Sequence, residues 1–216
     1  MEIEPGIILV DKPKGITSFD VIRRLRRELG IRKMGHAGTL DPNATGLMII
    51  ALGDATKKLS SYIKLPKSYE AEILFGIKTD TGDTDGAIIE RREVAEISEE
   101  DLKKVLADFE KEKFLNIKVP AYSAIKQKGK ALYELARKGI EVEAPVKPME
   151  IRGAKLLSLR QENGKYFASV LFDVGSGAYV RSIAEELGKR LGAVCTLSNL
   201  RRVSISEFTV ENARKI

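Results

Sequence analysis

The chain has 216 residues, 43% of them hydrophobic and 31% charged, a globular composition that excludes a disordered or fibrous chain. Its formal net charge of +6 and pI near 9.3 suit a polyanionic partner. One cysteine and one histidine can supply neither an internal disulfide nor a zinc site of the usual composition, and no stretch is long and apolar enough to span a bilayer.

The first predicted element is a short apolar strand over residues 6–10, ending at Asp11 and feeding a Lys12-Pro13-Lys14-Gly15 turn. Thr17 or Ser18 then caps a helix running to about Leu29. Phe19, Ile22, Leu25 and Leu29 share one apolar face of it, and Gly30 stands where a helix C-terminus favours glycine. Residues 35–46 read G-H-A-G-T-L-D-P-N-A-T-G and place the single histidine, His36, and the carboxylate of Asp41 on one glycine-punctuated loop. Gly35, Gly38 and Gly46 permit positive φ or the close approach of another group, and Pro42 biases Asp41 away from helical geometry.

Residues 47–52 form an uninterrupted apolar run suited to a buried strand. Residues 69–77 alternate, with Tyr69, Glu72 and other polar positions set against Ala71, Ile73 and Phe75. Residues 80–86 read as a turn; an EF-hand is excluded because its first and twelfth positions would be Thr81 and Arg92. Ser98 begins an amphipathic helix carrying Leu102, Val105, Leu106 and Phe109, with Asp101 in the place of a capping-box glutamate. A short helix is expected over 130–138, stopped by Gly139, and two strands between 151 and 174 turn at Asn163-Gly164, a strong hairpin signal. A helix over 179–191 and a buried strand over 193–197 close the pattern, with Cys195 read as core. Strands and helices without strict alternation give an α+β class. Neither a Walker A pattern nor a dinucleotide-binding glycine fingerprint is present, which disfavours nucleotide-hydrolysing and nicotinamide-dependent enzymes.

Charge is polarised along the chain. Residues 11–33 hold eight basic residues against three acidic ones, whereas 79–112 hold twelve acidic against five basic. Arg23, Arg24, Arg26, Arg27, Arg32 and Lys33 flank the Asp41 loop, and Lys126, Lys128 and Lys130 form a second basic group, as an RNA-binding face requires. The same arginines would also serve as the solvated side of an ordinary helix.

The loop at 35–46 resembles the catalytic loop of the TruB family of pseudouridine synthases, which modify the T loop of transfer RNA. Five further blocks follow the family order: 11–18, Lys67-Ser68-Tyr69, 120–124, Gly177-Ala178-Tyr179-Val180-Arg181 and Leu200-Arg201-Arg202. The resemblance implies a pseudouridine synthase fold, with a mixed, largely antiparallel sheet flanked by helices and loops that form an RNA-binding cleft. It further implies Asp41 as the catalytic aspartate, Arg181 as its arginine partner, and Tyr69 as the residue that stacks on uracil and exchanges a proton. His36 would contact the flipped nucleotide, Tyr179 would line the uracil pocket and the Leu200 backbone would bond the base edge. Lys12 and Pro13 would buttress the loop, supported by Gly35 and Gly38.

The activity implied is isomerisation of the T-loop uridine of tRNA without cofactor or metal, by a monomer with no obligatory protein partner. A single catalytic domain over 1–216 is expected, without the accessory C-terminal domain of PUA type found in most relatives. With no basic-then-apolar leader after Met1, the cytoplasm is the expected location. Val119 stands where relatives commonly carry proline and Ala178 where they carry threonine, departures that bear on the fine shape of the pocket. The competing readings are a tRNA-binding or RNA-folding protein with weak activity, and a guide-RNA-dependent synthase acting with partners.

Overall fold

A computed structural model describes residues 5–216 except 124, 128, 137, 141 and 142. In chain order the strands are β1 (Ile7–Lys12), β2 (Met34–His36), β3 (Thr45–Leu52), β4 (Lys67–Phe75), β5 (Ile77–Thr79), β6 (Ile88–Arg91), β7 (Phe114–Lys118), β8 (Lys126–Gln127), β9 (Lys130–Ala131), β10 (Val146–Glu162), β11 (Lys165–Val174), β12 (Cys195–Ile205), β13 (Phe208–Thr209) and β14 (Arg214–Lys215). The helices are α1 (Ser18–Leu29), α2 (Leu59–Ile63), α3 (Glu99–Glu112), α4 (Leu132–Ala136) and α5 (Val180–Arg190). The class is α+β, and most strand pairings are antiparallel. The chain divides into two compact units, Met1–Glu70 with Asp173–Ser176 and Asn199–Ile216, and Ala71–Phe172 with Gly177–Ser198.

In the first unit the strand order is β14-β1-β3-β12. β1 runs antiparallel to β3 with Val10 opposite Met48, β2 pairs antiparallel with β3, and Arg201 and Arg202 of β12 pair in parallel with Thr45 and Gly46. Ile7, Leu9, Ala37, Leu47, Ile49, Ala51, Ile205 and Val210 form a buried cluster. Each fully buried Leu or Ile of this kind contributes about 1.5–3 kcal/mol. From Leu47 onward β3 is apolar because both its faces are covered; Leu47 to Ala51 are entirely buried.

α1 forms at the expected place, but its buried face is corrected: Val21 joins Ile22 and Leu25 inside, whereas Phe19 and Leu29, expected on the apolar face, are 55% and 38% exposed. Thr17 is the N-cap, accepting from the Asp20 backbone while the Asp20 carboxylate accepts from the Thr17 N–H, a complete capping box. Gly30 ends the helix at φ +68°.

The second unit has the strand order β4-β11-β10-β7, with β10 antiparallel to β7. Asn163 and Gly164, at φ +49° and +75°, make the two-residue turn between β10 and β11. Ser98 caps α3 as expected, accepting from the Asp101 N–H.

Four further expectations are corrected. The strand over 69–77 is interrupted at Gly76, whose φ of +92° leaves the extended region. Tyr69 shares the buried face of β4 with Ala71, Ile73 and Phe75 and does not join the polar positions. The helix over 130–138 shrinks to α4, because Lys130 and Ala131 are drawn into a pairing with Lys126 and Gln127. The strand over 193–197 starts at Cys195 and runs on to Ile205, its second half held by the pairing of Arg201 and Arg202 with Thr45 and Gly46.

Candidate active site

Asp41 is half-buried on the loop between β2 and β3, in a turn closed by the Ala44 N–H donating to the Asp41 carbonyl at 3.1 Å. Gly38 and Gly46 bracket it at φ +94° and +106°, and a Cβ on Gly46 would lie 2.2 Å from the Arg202 carbonyl oxygen. The glycines are therefore required by conformation at both ends and by close approach at Gly46. Gly35 is extended, and a Cβ there would meet Leu59 Cδ1 at 2.5 Å.

The loop is held largely through its backbone. Lys12, completely buried at the end of β1, donates from Nζ to the carbonyls of Pro13 (3.0 Å), Ile16 (2.7 Å) and Pro42 (2.9 Å). The Gly15 N–H also donates to Pro42. Ser18, at the start of α1, donates to the Leu40 carbonyl at 3.0 Å and accepts from the Leu40 N–H at 2.8 Å. Arg202, 1% exposed, donates from Nε to Leu47 O at 2.7 Å and from Nη2 to Gly38 O at 3.2 Å, gripping both flanks. Its neighbour Arg201 binds Asp11 by two guanidinium nitrogens, at 3.1 and 2.8 Å.

These cations define the local electrostatics. Burial pushes Lys12 down to about 8, and the charge of Asp41 opposes that shift. Burial, then the charge of Arg202, lowers Lys67 to about 8; its ammonium donates to the carbonyls of Ile63, the last residue of α2, and Leu65 just after it. Two of these buried cations, Lys12 and Arg202, bind carbonyls of the Asp41 loop and its flanks. Burial, followed by Arg202, also lowers the His36 pKa, which favours a neutral imidazole. The His36 Nδ1 is buried and has no hydrogen-bond partner among the described residues. Tyr69 is buried on β4, and Leu200 is half-buried on β12 beside Arg201.

The structure places Asp41, His36, Tyr69, Leu200, Lys12, Pro13, Gly35 and Gly38 in the first unit, and Arg181 and Tyr179 in the second. Arg181, on the first turn of α5, donates to Thr81 O at 2.7 Å and to Tyr122 O at 2.9 Å. Tyr179 is the α5 N-cap, its N–H donating to Met149 Sδ at 3.3 Å. Cys195 is buried, and burial raises its thiol to about 12, as fits a core residue. Of the basic residues, Arg23, Arg24, Arg27, Arg32, Lys33 and Lys130 are exposed and Arg26 is half-buried. Lys128, like Ala124 of the 120–124 block, lies outside the described residues, and Lys126 is described in its backbone alone.

The gripping roles of Lys67, Arg202 and Ser18 were not assigned from sequence. Lys67 and Arg202 lie within blocks that carry the family resemblance, which was the available signal.

Comparison with known proteins agrees with this architecture. Residues 26–180 match the family described as TruB family pseudouridylate synthase (N terminal domain). The chain is 44% identical over 208 residues to "tRNA pseudouridine synthase B" of Aquifex aeolicus, covering 96% of this chain and 71% of that protein. It is 40% identical over 208 residues to the protein of the same name from Endomicrobium trichonymphae, covering 96% and 88%. Among solved structures, a chain of a Cbf5-Nop10-Gar1 complex superposes with a TM-score of 0.73 at 24% identity, over 98% of this chain and 52% of that one. A chain of an H/ACA RNP bound to a substrate RNA containing 2'-deoxyuridine superposes at 0.68 and 22% identity, over 97% and 50%. The chain thus spans about half the length of these two solved chains, and at such identity the likeness establishes the fold alone.

Proposed function

The chain belongs to the TruB family of pseudouridylate synthases, and we propose that it isomerises the T-loop uridine of tRNA to pseudouridine, with Asp41 as the catalytic carboxylate. The observation that carries this reading is the fixation of the Asp41 loop through Leu40, Pro42, Gly38 and Leu47 carbonyls by Ser18, Lys12 and Arg202.

The reaction breaks the glycosidic bond from N1 to C1′, turns the uracil and joins C5 to C1′. The proton leaves C5 and N1 regains one, so atoms and electrons balance without a cofactor or metal. Such chemistry needs an anion at a fixed position, a group that moves a proton and walls that hold the detached base. The protein's task at Asp41 is placement of the carboxylate. Tyr69 offers a ring for the uracil face and a hydroxyl for proton exchange. His36, on the same loop as Asp41, is assigned to the nucleotide extruded from the T loop on the family pattern, extrusion being a step that costs a few kcal/mol and that new contacts offset. The roles of Arg181 as aspartate partner, Tyr179 as pocket wall and Leu200 as backbone donor or acceptor rest on the family pattern. We further assign Lys12, Pro13, Gly35 and Gly38 to support of the loop and the basic residues around α1 to RNA. The two units serve as one catalytic domain, acting in the cytoplasm as a monomer without an obligatory protein partner.

The test is incubation of purified protein with an unmodified tRNA transcript, without added cofactor or metal, followed by position-resolved mapping. Conversion confined to the T-loop uridine is expected. Binding without conversion would replace the enzyme by an RNA-folding protein.

A further inference from the structure

One face of α1 carries a feature that the catalytic reading leaves unused. Phe19 is 55% exposed, and the guanidinium carbons of Arg23 and Arg26 lie 5.9 and 5.7 Å from its ring centroid. Positions 19, 23, 26 and 27 follow helical spacing of four, three and one. They form an outward stripe, flanking the side that buries Val21, Ile22 and Leu25.

The helix's own carboxylates are already engaged: Asp20 pairs with Arg23, and Glu28 with Arg214. Exposed Arg24, Arg27 and Arg32 meet no carboxylate among the described residues. An exposed aromatic ring beneath two guanidinium groups, continued by unneutralised arginines, matches single-stranded nucleic acid chemistry. Bases stack on rings with little sequence preference, and phosphates neutralise arginines. An acidic peptide would satisfy the charges and leave the ring without a planar partner.

Location gives the surface a direction. Ser18, adjacent to Phe19, exchanges two hydrogen bonds with Leu40, the residue before Asp41. The helix then leads away for twelve residues, about 18 Å at 1.5 Å per residue. We propose that this stripe is an RNA track, in which a base next to the reacting uridine stacks on Phe19 and the following phosphates run over Arg23, Arg26 and Arg27. The proposal rests on the tRNA reading for the identity of the RNA, and its geometry is independent of catalysis.

The sequence contains no tryptophan, so Phe19→Trp introduces a lone indole reporter. Titration with an unmodified tRNA transcript is expected to quench its fluorescence in step with binding measured by filter retention. In an Arg26→Ala/Arg27→Ala variant, the slope of log affinity against log salt is expected to become shallower by about 1.4, two contacts at about 0.7 each. RNA retained on the filter without quenching, or with an unchanged slope, overturns the track. Quenching and the slope change in a protein that leaves the T-loop uridine unmodified would uphold the track and overturn the catalytic reading.

Discussion

The ammonium of Lys12 donates to the carbonyl oxygen of Pro42 across 2.9 Å, joining the end of β1 to the residue that follows Asp41. The same ammonium binds Ile16 and Pro13, so one buried charge fixes both the early turn and the aspartate loop. Replacement by methionine keeps the stem and removes the charged donor. Lys12→Met is expected to lower stability by about 2 kcal/mol, the scale of charged hydrogen bonds lost less the relief of a buried charge. The conversion rate should fall by more than RNA affinity does. Chemical denaturation and single-turnover conversion check the two halves.

Lys67 gives a pH prediction of definite sign. Burial lowers its pKa to about 8, against about 10.4 in an unfolded chain. Below about pH 8 both states carry the proton and the burial penalty is constant. Between the two values the unfolded chain keeps a proton that the folded protein has released, so stability rises with pH. Lys67→Met lacks that proton, while Lys12, shifted in the same direction, is common to both proteins. The stability advantage of the wild type over Lys67→Met should therefore widen above pH 8, by up to about 1.4 kcal/mol per pH unit. Paired urea melts at pH 7, 8 and 9 measure it.

Two glycines with positive φ separate strain from collision. At Gly30, φ is +68° and an added Cβ meets nothing within 4 Å, so Gly30→Ala should cost about 1 kcal/mol through backbone strain. At Gly46, φ is +106° and the Cβ would strike the Arg202 backbone at 2.2 to 2.9 Å, where β12 pairs with β3. Gly46→Ala should cost about 3 kcal/mol or more. Thermal melts should rank the two in that order.

Arg181 uses two guanidinium nitrogens for two different carbonyls, those of Thr81 and Tyr122. An ammonium of equal charge cannot reproduce that fork. Arg181→Lys should lower the conversion rate at least about tenfold, or about 1.4 kcal/mol in barrier, and Arg181→Met should fare no better. Rates under saturating RNA decide it.

What sequence disclosed and what it concealed divide along a physical line. α1 and the hairpin at Asn163-Gly164 were legible because their determinants are local: a capping box, a terminal glycine, a two-residue turn. The Asp41 loop was legible through its glycines and through resemblance. Hidden were interactions closed by distant backbone. Arg202 reaches Gly38 across 164 positions, and a carbonyl acceptor leaves no mark in residue type. β12 was truncated at Leu197 because only its first residues form an apolar run, whereas its continuation carries Arg201 and Arg202, whose acceptors at Asp11 and Leu47 lie far off in sequence. Tyr69 was placed on the wrong face because a phenol counts as polar in an alternation, whereas the ring goes where Ala71 and Ile73 go.

The central claim is that the Asp41 carboxylate performs chemistry on a uridine delivered by tRNA. Asp41→Asn changes an anion into a neutral amide of nearly the same shape, so binding and catalysis can be separated in one preparation. Filter binding and position-resolved mapping should show tRNA affinity within about threefold of wild type, since the basic face is untouched and each threefold is only about 0.7 kcal/mol, with no pseudouridine at the T-loop uridine. Conversion by Asp41→Asn at the wild-type rate would contradict the account.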